Sequence, residues 1–226
     1  MDVPLPRASA SRTPPNTQME PSRPADLCDP VSAARGSFAT LGRRAPGGTL
    51  IEIRLETPDD IPAIRNVNER AFGAPAEAHL VDRLRAANKA VVSLVAQHGD
   101  QLVGHILFSP ISVTNAPETF RGLGLAPMSV LPEFQKTGVG SQLVRHGLAA
   151  CQRAGCEIVV VLGHVQYYPR FGFSRAKDHG LENEYEAEDA FMVLELKNGV
   201  LQTIGGLVQF APEFREANER ITDRPR

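Results

Sequence analysis

The sequence is poor in three features that would each announce a function. Its three cysteines, at positions 28, 151 and 156, are an odd number with spacings that fit no usual zinc knuckle. They read as free thiols in a reducing cytoplasm; a redox pair of Cys151 and Cys156 is the alternative, though no redox motif lies nearby. No apolar run approaches the roughly 20 residues that cross a bilayer. Ile158 to Leu162 is typical of the longest, and the N-terminus carries no secretory apolar segment. Lysines and arginines form no basic stripe, the feature through which most nucleic-acid binders neutralise phosphate. With a formal net charge of -2 and 22% charged residues, the surface is that of an ordinary soluble protein, without a field for nucleic acid or membrane.

What remains is 42% apolar residues in a chain of 226, enough for one core plus an appendage. The appendage is residues 1–49, where eight prolines alternate with Ser, Thr and Arg and no apolar period appears. Such a segment cannot bury enough apolar surface to offset its ordering entropy, and a disordered tail is expected. Acidic residues and prolines within it oppose a transit peptide, so an over-called start site or a dispensable tail is the expected explanation. The ordered domain is expected over residues 50–214, with a polar, frayed C-terminal tail over 215–226.

Within the domain, Ile51, Ile53 and Leu55 alternate as a strand does, and Thr57 and Pro58 supply a helix N-cap and first residue. Ile61, Ile64, Val67 and Ala71 then recur at helical spacing, and residues 76–87 carry Leu80 and Leu84 on one face of a second helix. Residues 91–97 and 101–109 are β-rich runs about His98, Gly99 and Asp100, the pattern of an antiparallel hairpin. A third run spans 122–130. A helix is predicted over 138–154, ended by Gly155, and a nearly all-apolar strand over 157–162, as expected of a sheet centre. A short helix near 167–171, a strand over 190–196, a turn at Asn198-Gly199 and further β structure over 200–210 complete the reading.

The most informative stretch runs from Val130 to Gly140, V-L-P-E-F-Q-K-T-G-V-G, where a strand passes through a tight loop into a helix. Amides of Lys136, Thr137, Gly138, Val139 and Gly140 lie where a helix leaves its N–H groups without internal partners. Gly138 and Gly140 remove the Cβ atoms that would hold a ligand off. Unpaired donors and the positive end of the helix dipole, worth about 0.3–1 kcal/mol at an exposed terminus, make an anion site suited to a pyrophosphate. A Walker loop needs Gly-Lys, which occurs nowhere in the chain, and the Rossmann fingerprint needs a third glycine absent here. ATP and NAD are therefore poor candidates.

Gln135, Gly138 and Gly140 at this strand-to-helix junction resemble the Q-x-x-G-x-G signature of the GNAT superfamily of N-acetyltransferases. Tyr167-Tyr168-Pro169-Arg170-Phe171-Gly172-Phe173 is similar to that family's F-Y-x-x-x-G-F segment. Val161 to His164 and Ala190 to Leu194 resemble its bacterial YhbS-like branch. The resemblance covers the chain from about Leu50 onward. It implies an α/β (α+β) fold with a mixed, mostly antiparallel central sheet flanked by helices and splayed between the strands ending at Val130 and Leu162.

It further implies that acetyl-CoA enters that gap as acyl donor, with no metal. The backbone of Met128 and Val130 would meet the pantetheine arm, while Gln135, Lys136, Thr137, Gly138, Val139, Gly140 and Ser141 form the phosphate loop. Tyr168 aligns with the tyrosine that protonates the departing thiolate; Phe171, Gly172 and Phe173 are expected to pack the fold. The general base is open, because the strand 122–130 holds no Asp, Glu or His; His164 is the first candidate, with His105 and Glu133 behind it. Phe72, Glu77 and His79 are candidates for the acceptor side.

The acceptor is expected to be a small primary amine attacked in a ternary complex, though the fold cannot name it. The acidic stretch Glu182, Glu184, Glu186, Glu188 and Asp189 would attract a cationic amine if it borders the acceptor channel, and is otherwise a solvated loop. Another acyl group in place of acetyl stays open, as does a homodimer. The alternative from another class is a CoA-binding sensor or scaffold protein without productive acyl transfer.

Overall fold

The computed structural model describes residues 50–215 apart from residue 186. The N-terminal segment over 1–49 with Cys28, the C-terminal segment from Glu216 that was expected to fray, and Glu186 of the acidic stretch lie outside the described residues. Strand β1 (Ile51–Leu55) buries Ile51 and Ile53 and exposes Glu52, the alternation of a half-covered strand. Thr57 then caps the turn. Its backbone N–H and hydroxyl both donate to Asp60 Oδ2, at 2.7 and 2.9 Å, and Pro58 opens a 3₁₀ turn, Pro58–Asp60, that precedes helix α1 (Ile61–Phe72). Arg54 grips both oxygens of Asp60 at 2.7 and 2.8 Å, which fixes the β1–α1 corner and holds that carboxyl well below its ordinary range.

Helix α1 buries Ile64, Val67 and Asn68, and α2 (Ala76–Ala86) buries Ala78, Leu80, Val81 and Leu84. Strands β2 (Val92–His98) and β3 (Gln101–Val113) form the expected hairpin about Gly99 and Asp100. β3 runs past Ser109 because Ile111–Val113 finds a second partner in β9 (Gly206–Phe210), far along the chain. β4 (Gly122–Val130), α3 (Val139–Arg153) and β5 (Ile158–Leu162) follow, then the short β6 (Ser174–Arg175) and β7 (Leu181–Asn183) and the longer β8 (Phe191–Glu195).

The sheet runs β1-β2-β3-β4-β5-β8-β6, with β9 beside β3 and β7 beside β9. Among the described residues only β4–β5 and β7–β9 are parallel pairs, so the sheet is mixed and mostly antiparallel. Strand structure over 200–210 is shorter than the sequence suggests. Val200–Gln202 is a 3₁₀ turn, and the strand waits until Gly206, whose φ of 95° suits glycine and whose N–H bonds Gly180 O at 2.8 Å.

Gly104 and His105, consecutive on β3, face opposite sides of the sheet. A Cβ on Gly104 would meet Leu143 and Val139 of α3, while His105 meets Asn68 of α1, so the helices cover both faces. Among the described residues, no helix is long and apolar enough to cross a membrane.

One irregularity positions the site. β3 and β4 pair Ile106↔Met128 and then Phe108↔Leu125, so β4 spends two residues, Ala126 and Pro127, where β3 spends one. Bulges of this kind bend a strand and sharpen its twist. On its other edge β4 pairs with β5 only at Gly122↔Ile158, Leu123↔Val159 and Gly124↔Val160. Beyond Gly124 the two parallel strands part.

Candidate active site

The gap between β4 and β5 opens into a cavity of about 610 Å³. Met128 and Val130 of β4 line one side; Gln135, Lys136, Gly138, Gly140 and Ser141 line the end where the loop enters α3. His164, Tyr167, Tyr168 and Arg170, from the segment after β5, form the facing wall.

Short polar contacts hold the loop. Leu131 N–H bonds Val103 O at 2.9 Å, a 3₁₀ turn spans Pro132–Phe134, and the Gln135 side chain donates from Nε2 to Val130 O at 3.1 Å. Thr137 Oγ1 donates to Phe134 O at 2.6 Å. Gly138, the residue before α3, has φ of 99°, and a Cβ there would meet nothing within 4 Å. Gln142 N–H bonds the Gly138 carbonyl at 3.1 Å, and the amides before it are those a helix start leaves without intrahelical partners.

Thr137 and Val139 do not line the cavity. The hydroxyl of Thr137 is spent within the loop, and Val139 is buried beside Leu143, anchoring α3 to the core. A Cβ on Gly140 would lie 3.0 Å from the Tyr167 hydroxyl, 3.7 Å from Val130 Cγ2 and 3.8 Å from Met128 Cε. Glycine there keeps the space between loop and facing wall open.

Tyr168 begins the 3₁₀ helix Tyr168–Phe171 and is 6% exposed. Its ring meets Tyr167 edge-on, centroids 5.0 Å apart, and Phe173 at 5.6 Å. Burial, then the neighbouring Tyr167 hydroxyl, pushes its pKa well above the ordinary tyrosine value. Among the described residues, none takes a hydrogen bond from its hydroxyl.

The candidate bases separate cleanly. His164 is exposed and lines the cavity. His105 does not: it is fully buried, with Ser93 Oγ 3.0 Å from Nε2 and Asn68 Nδ2 3.3 Å from Nδ1. Glu133 lies on the loop's outer side in an ion pair with Arg70 at 2.9 Å.

Phe72, Glu77 and His79 are not among the lining residues. Phe72 is 44% exposed at the end of α1, His79 is exposed on α2, and Glu77 is half-buried with Oε2 enclosed and unpartnered. Glu182 and Glu188 line a different cavity of about 510 Å³ beside Lys177. The acidic stretch is also largely matched by its own neighbourhood: Glu188 pairs with Lys177 at 2.9 Å, and Glu184 with Arg215 at 2.8 Å. Tyr167 and Arg170 are lining residues that the sequence leaves unassigned; their place in the segment similar to F-Y-x-x-x-G-F is the signal that was available. Among the described residues, no three His, Cys, Asp or Glu side chains are grouped to hold a metal ion.

Comparison with known proteins identifies the family. The family described as Acetyltransferase (GNAT) domain matches residues 52–176. The chain is 36% identical over 164 residues to the uncharacterized N-acetyltransferase YhbS of Escherichia coli K12, covering 72% of this chain and 97% of that protein. It is 41% identical over 129 residues to YjhQ of the same organism, also named an N-acetyltransferase, covering 56% and 71%.

Among solved structures, E. coli YhbS in complex with CoA superposes with a TM-score of 0.71 at 33% identity, covering 76% of this chain and 96% of that one. A Brucella melitensis GNAT acetyltransferase in complex with acetyl-CoA superposes at 0.61 and 37% identity, covering 73% and 97%. This chain belongs to the GNAT family of acetyltransferases and is an acyltransferase.

Proposed function

We propose that the cavity between β4 and β5 binds acetyl-CoA and that the protein transfers its acetyl group to the primary amine of a small molecule, by direct attack in a ternary complex. The observation that carries this reading is the parting of β4 from β5 after Gly124, in front of a helix start that two glycines leave open. The relatives crystallised with CoA and acetyl-CoA support it.

The residues fit the donor. A Cβ at Gly138 would project into open space and one at Gly140 into the cavity itself, so the amides of residues 136–141 are accessible to a diphosphate, with Lys136 adding positive charge. The β4 edge beyond Gly124, with no partner in β5, is free to pair with the amides of the pantetheine arm as an added strand would. Bound acetyl-CoA supplies the acetyl thioester.

The chain's own groups then manage two protons. Tyr168, protonated throughout the neutral range, presents its hydroxyl proton to the departing thiolate. His164 accepts the amine proton through water. The acceptor approaches on the side of α1 and α2, where Phe72 and His79 are exposed.

Incubation of the full chain with acetyl-CoA and a panel of primary amines tests this reading, following thiol release and the acetylated product by mass spectrometry. Amine-dependent release with a matching N-acetyl product is expected. Thiol release without any amide would overturn direct transfer to an amine.

A further inference from the structure

We propose that Arg170 is a ligand-binding residue of the donor site, holding the diphosphate of acetyl-CoA from the wall opposite the start of α3. This rests on the reading that the cavity binds acetyl-CoA.

The guanidinium is held from two directions. Nε donates to Tyr167 O at 3.0 Å, and the guanidinium carbon lies 3.9 Å from the centre of the Tyr167 ring and 5.2 Å from that of Phe171. A planar fork stacked in this way loses less freedom on binding than a loose cation does. With Nε engaged by a backbone carbonyl, the Nη groups remain available for a bidentate acceptor.

The ring that supports Arg170 also reports where it stands. The Tyr167 hydroxyl reaches the space above Gly140, so the tyrosine spans from the α3 start to the guanidinium. Arg170 therefore stacks on the ring whose hydroxyl reaches the α3 start, and lines the same cavity as the loop residues. Charge points the same way. The cavity lining contains two fixed cations, Lys136 and Arg170, and no carboxylate. Arg54, Arg85, Arg175, Lys177 and Lys197 all pair with acids, whereas among the described residues no carboxylate pairs with Arg170. Arg145 lies over Phe171 at 5.4 Å and adds to the positive field. An unpaired cation beside unpaired amides suits a ligand carrying two adjacent negative charges.

Calorimetric titration of the full chain with CoA and with 3′-dephospho-CoA tests the assignment, using wild type, Arg170→Ala and Arg170→Lys. Arg170 is exposed, and matched thermal melts confirm that each variant folds. Arg170→Ala is expected to weaken both ligands by the same factor, roughly 10- to 100-fold, with Arg170→Lys between it and wild type. A loss confined to CoA would assign Arg170 to the 3′-phosphate and overturn the diphosphate placement. Unchanged affinity for both would overturn the proposal while leaving the donor site intact. No CoA binding by folded wild type would remove the donor-site reading and this proposal with it.

Discussion

The ring of Tyr168 lies against the backbone of Gly163, so close that a Cβ on Gly163 would have no room beside ring carbons Cδ2 and Cε2. Gly163 directly follows β5, and this contact holds the phenol on the cavity wall. Gly163→Ala is expected to displace the ring, lowering stability by about 1–3 kcal/mol through overpacking and reducing kcat roughly tenfold or more. Thermal melts and steady-state kinetics check both. A wild-type kcat would show that the ring's placement is immaterial to transfer.

Tyr168→Phe keeps the ring and removes the proton. Acetyl-CoA affinity should be retained while kcat falls by roughly 10²- to 10⁴-fold. Because burial raises the pKa of the phenol, it remains protonated through and beyond the ordinary tyrosine titration near pH ~10. The pH–rate profile of wild type should accordingly show no alkaline fall attributable to Tyr168 below that pH. An alkaline limb between pH ~8 and ~9 that disappears in Tyr168→Phe would contradict the assignment.

His105 makes stability, rather than catalysis, sensitive to pH. Burial lowers its pKa against the opposing pull of Glu56, whose Oε2 is 3.6 Å away; Ser93, Asn68 and the more distant Arg85 complete its polar surroundings. The folded chain keeps this imidazole neutral while the unfolded chain protonates near the ordinary value of about 6.5, so stability is full above that pH and falls below it. The slope approaches ~1.4 kcal/mol per pH unit for one proton. Burial pushes Glu56 up, but the nearby His105 imidazole and hydrogen bonds from Arg85 and Ser93 outweigh it and hold the carboxyl at about 2. Its contribution is present above pH ~4.5 and is lost as pH falls toward that folded value. Urea unfolding of wild type and His105→Gln between pH 5 and 8, a range of roughly three units about the histidine titration, should show the slope in the first and a flatter line in the second. Parallel slopes would mean another group controls it.

Much of this fold was legible because local chemistry dictates it. Thr57 and Pro58 can cap and open a helix wherever they stand, Gly99 and Asp100 close a hairpin by their own geometry, and Gly138 adopts the positive φ that a tight entry into α3 demands. The turn from β4 into α3 was readable for the same reason. What escaped depends on partners remote in sequence. β3 is extended by β9, and the irregularity at Ala126 and Pro127 exists only relative to β3. The place of Tyr167 over Gly140 and the stacking of Arg170 on it depend on how the segment after β5 folds back over α3. Phe72, Glu77 and His79 were singled out from the family resemblance, which places the acceptor side between the first two helices, and a resemblance at that level did not say which side chains there reach the cavity.

Every role assigned to the cavity depends on the donor site, and titration of acetyl-CoA into the full chain and its Gly140→Val variant tests it. Gly140 has no positive φ, so the backbone accommodates valine, whose methyl groups would enter the cavity beside Tyr167, Val130 and Met128. Saturable binding by wild type, lost in a variant whose thermal melt shows it folded, is the predicted result. Absence of binding by folded wild type, or undiminished binding by the variant, would contradict the account.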